Sequence, residues 1–378
     1  MRPAKVQYLE GLRGIAAMQV VLLHFVTGFM PDTAEHAWPP LSVLFDGHTA
    51  VYVFFLISGA VLTPSFAQHG NFLGKLAKRV VRLGIPVAAA AVISSLLLGL
   101  FPDAHWQAAA LTKSAWLATD SSGAPTLMHL LREISLDSLL LGYREATLFA
   151  PLAEHLPSME FSLDAPFWSL HLELYGSLLV LCLVSLRARS VVAHRIAVTA
   201  GAVLFGTHPM FLFVLGHLVR PPLGKTGGSL RDVSGLLLLV LGLSLCANKD
   251  WAIVEWLRLW LAGSELASAP NLFQFQSQLG AVALYFGVLS CSYVWQVLAS
   301  APFRYLGRLS FSIYLLHFPI LFSFVCLVFT GMSTPSIGVA FALFVLLTLL
   351  ASIAFAHYVD RPAIMLSRRL SMPRLRAA

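Results

Sequence analysis

The chain has 378 residues, 58% of them hydrophobic and only 11% charged, with a mean hydropathy of +0.78 and a formal net charge of +7. A soluble domain carries about 25% charged residues, so this composition excludes a water-soluble globular protein and specifies an all-α, polytopic membrane protein. The excess of positive charge does not point to nucleic acid, because its distribution along the chain follows membrane topology.

Hydropathy marks about ten transmembrane helices, near residues 10–30, 47–66, 80–101, 166–186, 191–207, 209–219, 232–248, 278–299, 306–330 and 335–357. The first opens with YLEGLRGIAAMQVVLLHF. Its apolar stretch exceeds the roughly 7–15 residues of a signal-peptide core, so it reads as a retained helix. Arg13 and His24 are eleven residues apart. At 100° per residue they leave one helix face, about 16 Å apart along the axis. Ionisable side chains inside a membrane usually face the bundle or an aqueous cavity. The pair therefore reads as a polar track from the inner surface to mid-membrane. The alternatives are a snorkelling arginine and a hydrogen-bonded core histidine.

The second span, GHTAVYVFFLISGAVLT, contains Ser58-Gly59, a small pair suited to close helix approach. The third begins KLAKRVVRLGIP. Its Arg79 and Arg82 lie three apart on one face, either as topology anchors or as guanidinium forks for phosphate. A longer connection, about 102–165, carries the amphipathic stretch LMHLLREISLDSLLLGYREA, readable as a lid or interfacial helix or as a surface helix on a solvated loop.

The fourth span opens APFWSLHLELYGSLL, with His171 and Glu173 inside an apolar helix and Trp168 and Tyr175 nearby. An intramembrane carboxylate needs a partner, and His171 and Glu173 do not share a face, so each needs its own. Trp168 also suits an interfacial belt. The fifth and sixth spans are short and broken at His208-Pro209, either as two short helices with a tight outer turn or as one kinked helix. The ninth begins LGRLSFSIYLLHFPI, where Tyr314 and His317 lie three apart ahead of Pro319. The last ends at YVDRPAI, before a basic tail of about 361–378.

With the N-terminus inside, 20 of the 25 lysines and arginines fall in inner segments and 14 of the 18 acidic residues in outer ones. A missed or extra span in the middle would destroy that alternation, so both termini are expected in the cytoplasm. Cys182, Cys246, Cys291 and Cys326 all fall in apolar stretches without metal-ligand spacing and read as inert buried thiols. The whole chain, 1–378, reads as a single membrane domain.

These blocks, in this order, resemble the acyltransferase 3 family of integral-membrane O-acyltransferases. The opening is similar to its signature of an arginine, ten residues and a histidine. FFLISGAVL resembles the second-helix motif, KRVVRLGIP the basic third-helix start, and FWSLHLELYG the fourth-helix motif. LGRLSFSIYLLHFPI and VDRPAI resemble the last two blocks. The chain departs from the family pattern at Tyr52, often acidic, at His171, commonly small, and at Asp360, frequently glutamate.

The resemblance implies transfer of an acyl group, usually acetyl, from cytoplasmic acyl-CoA to a hydroxyl of a cell-surface or exported carbohydrate or glycolipid. The bilayer would be a bacterial-type inner membrane. Acyl-CoA is a co-substrate, and no metal, other cofactor or nucleic acid is expected. Arg13, Arg79 and Arg82 would meet the polyanionic donor. His24 would be a general base or an acyl carrier. Arg13 or Tyr314 would meet the oxyanion, and Glu173 would orient a histidine or hold the sugar. Ser58, Trp168, His171, Tyr314 and His317 would support the acceptor side. A transporter or flippase using the same polar track is the alternative.

Overall fold

The computed structural model describes residues 7–68, 70–119, 125–219, 221–222, 228–247, 251–262 and 275–370. Arg2, Lys5, Arg220, Lys225, Lys249 and the tail beyond residue 370, all counted in the charge distribution, lie outside the described residues. The structure is helical, with no strand among the described residues.

A helix stands at each of the ten predicted positions. They are α1 (Gln7–Phe29), α2 (Gly47–Phe66), α3 (Phe72–Leu100), α4 (Leu170–Arg189), α5 (Val191–Leu204), α6 (Met210–Leu218), α7 (Ser229–Ala247), α8 (Phe275–Ser290), α9 (Ala301–Ile320) and α10 (Ile337–Phe355). Seven of them are long and apolar enough to cross a membrane alone, or eight if α8 is counted with the segment it bends into.

The expectation of ten full spans is therefore corrected at three helices. With 14 and 9 residues, α5 and α6 rise only about 21 and 14 Å, short of the ~30 Å hydrocarbon layer. They are two short helices broken at 205–209, and not one kinked helix. The Gln278 amide donates to the Thr207 carbonyl in that turn, at 2.8 Å, while His194 Nε2 and His217 Nε2 meet at 2.9 Å at the other end of the hairpin. Helix α8 ends at Ser290, and the chain turns through 95° at Cys291 into Ser292–Leu298. A hairpin that rises and returns leaves the chain on the side where it began. Losing the α5–α6 hairpin as two spans therefore leaves the expected alternation of charge intact when α8 and its bent continuation count as one span.

Close helix contact sets the frame of the bundle. Lipid is as apolar as a leucine side chain, so membrane helices associate by tight packing and polar contacts. Helices α1 and α9 cross at Gly14 and Gly307: a Cβ on Gly14 would stand 2.7 Å from Gly307 N, and one on Gly307 would overlap the Glu10 carbonyl. Gly59 of α2 faces Gly216 of α6 in the same way, a Cβ there lying 3.0 Å from Gly216 Cα. The Ser58-Gly59 pair thus divides its work, since Ser58 turns toward α4 and hydrogen-bonds Glu173.

The predicted amphipathic stretch of the outer segment is helical over Leu127–Arg132 and continues as a π-helix over Glu133–Leu141. Its polarity is inverted relative to a water-facing helix. Leu127, Met128, Leu131 and Leu136 are exposed, whereas Glu133, Asp137 and Ser138 are buried. That is the arrangement of an interfacial helix set against lipid. The Glu133 carboxylate accepts from Tyr143, from Ser138 Oγ at 2.7 Å and from the Leu163 amide at 3.2 Å, which ties the segment to the entry of α4. Burial pushes the Glu133 carboxyl above the usual carboxylate range, against the pull of those donors.

Candidate active site

The basic stretches at the starts of α1 and α3 converge. Asn71 caps α3 by accepting from the Gly74 amide at 2.7 Å, and the helix then presents Arg79 and Arg82 one turn apart. With Arg13 they line a cavity of about 700 Å³ bounded by α1, α2, α3, α4, α9 and α10. Five arginines border it, Arg13, Arg79, Arg82, Arg308 and Arg361, against three carboxylates, Glu10, Glu173 and Asp360. The surplus of cations suits an anionic ligand. The cavity's basic residues belong to segments that the charge distribution along the sequence leads one to expect on the cytoplasmic side.

The arginines are not equivalent. Arg79 is buried and committed: it is ion-paired with Glu173, and its Nε donates to Ser177 Oγ at 2.6 Å. Ser177 in turn donates to the Glu173 carbonyl one turn earlier at 2.6 Å, which leaves its oxygen lone pairs toward Arg79. Ser58 Oγ donates to Glu173 Oε1 at 2.8 Å, so a single carboxylate gathers α2, α3 and α4. Arg82 and Arg13 are half-buried. The Arg13 guanidinium lies 5.9 Å from the centre of the Phe54 ring, a cation–π distance.

Tyr314 closes the cavity at its inner end. Its hydroxyl donates to the Pro166 carbonyl at 2.8 Å and meets Ser169 Oγ at 2.7 Å. The ring stands 6.1 Å from both Phe54 and His317. Behind it, outside the cavity lining, His24 Nδ1 and His317 Nε2 are 2.8 Å apart, and His317 Nδ1 meets the Ile313 carbonyl at 2.9 Å. The His24 ring lies edge to edge and nearly coplanar with His317, centroids 5.0 Å apart and planes 16° apart, and parallel to Trp116 of the outer segment at 5.2 Å.

Of the residues singled out from the sequence, Arg13, Ser58, Arg79, Arg82, Glu173 and Tyr314 line the cavity. His24 and His317 pair behind it. Trp168 and His171 are not among the residues that line the cavity. Trp168 is buried with its ring 6.5 Å from that of His48. His171 is fully buried beneath Gly142, where φ is +77° and a Cβ would stand 2.7 Å from His171 Cε1. Among the described residues Glu173 meets an arginine, and no histidine.

Sequence reading missed Ser177, Ser169, Phe54 and Trp116. Ser177 was findable, because it lies four residues after Glu173 on the same helix face. Trp116 carries no such signal, since its contact with His24 is made across the fold from an irregular connection.

A family model described as an acyltransferase domain matches residues 6–357, nearly the whole chain. No curated protein and no solved structure matches it. The matched region carries the buried Glu173 carboxylate, the histidine pair and all of the cavity lining but its last few residues, Arg361 among them, and the chain belongs to the acyltransferase 3 family as an integral, multi-pass membrane acyltransferase.

Proposed function

We propose that the protein moves an acyl group, in the simplest case acetyl, from cytoplasmic acyl-CoA to a hydroxyl of a cell-surface or exported carbohydrate, in a bacterial-type inner membrane. The observation that carries this reading is the cavity of five arginines at the inner mouth, which ends at Tyr314 beside the His24–His317 pair. Phosphates of the donor would meet Arg82 and Arg13, both at the cavity and neither held in an ion pair as Arg79 is. Guanidinium forks match phosphate geometry.

Arg13 and His24 are about 16 Å apart along α1. That gap suits a donor whose charged end stays at the mouth while its long, flexible thioester arm reaches inward along Phe54 to Tyr314, beside the histidine pair. There His24 acts as general base: the acceptor O–H proton passes to the imidazole, the oxygen attacks the thioester carbon, the C–S bond breaks, and the thiolate recovers the proton. Base catalysis of this kind contributes about 10²–10⁴-fold. Arg13 remains on the donor side, and Glu173 acts through Arg79 rather than on the acceptor.

The experiment is direct. Purified protein in lipid nanodiscs is given acetyl-CoA labelled in the acetyl group; label is followed into acetate or onto an added glycan acceptor, and release of the free coenzyme A thiol is measured alongside. Thioester cleavage dependent on the protein is the expected result. An intact thioester, with acetyl-CoA or its label merely carried across a vesicle membrane, would support transport instead.

A further inference from the structure

We propose that His317 is a positioning residue that holds His24 in the single tautomer whose free lone pair is on Nε2. The inference rests on the reading of His24 as the base, and adds to it which nitrogen acts and what selects it.

Three atoms decide the protonation pattern. The Ile313 carbonyl oxygen can only accept, so His317 Nδ1, 2.9 Å away, must carry a hydrogen. A neutral imidazole then has its lone pair on Nε2. His24 Nδ1 lies 2.8 Å from that lone pair and must supply the hydrogen between them. This leaves His24 Nε2 unprotonated. The opposite assignment would set the lone pair of His317 Nδ1 against the Ile313 carbonyl and forfeit a buried hydrogen bond. Only one arrangement of the two neutral rings satisfies all three groups.

The packing holds the pattern in place. His317 is fully buried and has its carbonyl partner four residues back on its own helix, so its ring is set by α9 itself. His24 is only half-buried; its ring orientation is fixed by the in-plane hydrogen bond to His317 and by the parallel Trp116 ring, whose plane is within 1° of its own. Phe318 meets the His24 ring edge-on at 5.9 Å. Of the two histidines, the accessible one therefore has the bare nitrogen, and the enclosed one determines which nitrogen it is. When His24 takes the acceptor proton on Nε2, its Nδ1–H stays bonded to His317 Nε2, which stabilises the imidazolium as it forms. An orienting partner behind a catalytic imidazole is a general device of acyl transfer.

The test uses the full-length protein in nanodiscs. Nitrogen-15 spectra of the unsubstituted protein should show His24 protonated at Nδ1 and bare at Nε2; a Nε2–H tautomer would overturn the proposal whatever any variant does. His317→Ala should lower kcat by about 10²-fold, within the range for a base in the wrong protonation state, with the donor KM changed no more than about 2-fold. His317→Gln, whose amide oxygen can accept from His24 Nδ1–H, should recover about 10-fold of the loss. Wild-type turnover in His317→Ala, or a loss confined to KM, would assign His317 to packing alone. Absence of thioester cleavage in the unsubstituted protein would sink the acyl-transfer reading, and the tautomer spectrum would still report on the pair.

Discussion

Arg79 of α3 is ion-paired with Glu173 of α4 at a depth where both side chains are nearly closed off from solvent, with 10% and 15% of their side-chain surface exposed. A charge in such a place survives because it is paired and hydrogen-bonded, and removing one partner strands the other. Ser58 and Ser177 complete the shell around the pair. This makes the motif carboxylate a counter-ion that holds three helices, and it shifts the burden of phosphate recognition toward Arg82 and Arg13.

Breaking the pair should destabilise the protein more than deleting it. Glu173→Ala or Arg79→Ala alone is expected to cost about 3–5 kcal/mol, the usual penalty for stranding a buried charge. Replacing both by well-packed apolar residues should cost less than the sum. Thermal unfolding in a mild detergent checks this in a double-mutant cycle; additive losses would show that the pair is not coupled.

Arg82→Ala should raise the apparent donor KM by about 10-fold with little change in kcat, because a peripheral phosphate contact is made equally in ground and transition states. The effect should shrink as salt rises. Arg13→Lys should also weaken the donor, since an ammonium offers no planar fork. The measurement is acetyl-CoA saturation at low and moderate ionic strength, with coenzyme A competition as a second readout. A donor KM unchanged in both variants would leave these arginines as topology anchors only.

His24→Ala should reduce transfer by about 10²–10⁴-fold while the protein remains folded and inserted. Residual activity in that range supports a base. Recovery of an acylated His24 peptide by mass spectrometry, after incubation with donor and no acceptor, would instead assign it the carrier role. Full activity in the variant would reduce His24 to a hydrogen-bonded core residue.

Glu133 should make the outer segment pH-sensitive. Its carboxyl is held above the ordinary range by burial, so the folded state binds this proton more tightly than the unfolded chain does. The stabilisation from this group is present at low pH and is lost as pH rises through the folded-state value. As pH rises above the ordinary carboxylate range, the melting temperature of the unsubstituted protein should fall relative to that of Glu133→Gln, which cannot ionise. Parallel curves for the two proteins would show that the carboxyl does not titrate there.

The sequence by itself determined the class and the helix positions. Apolar length and the placement of lysine and arginine are local properties, and lipid punishes an unsatisfied backbone or a misplaced charge wherever it occurs. All ten predicted segments are helices, and the basic blocks gather at one mouth. What local pattern could not carry is partnership. That among the described residues Glu173 meets Arg79 and no histidine, that His24 meets His317 across 293 positions, and that Trp116 covers His24 from the outer segment are decided by how helices cross at Gly14–Gly307 and Gly59–Gly216. Span length was misjudged in α5, α6 and α8 for a related reason. Hydropathy reports how apolar a stretch is, whereas the turns at 205–209 and at Cys291 are held by contacts such as Gln278 to Thr207, made by residues far away in the chain.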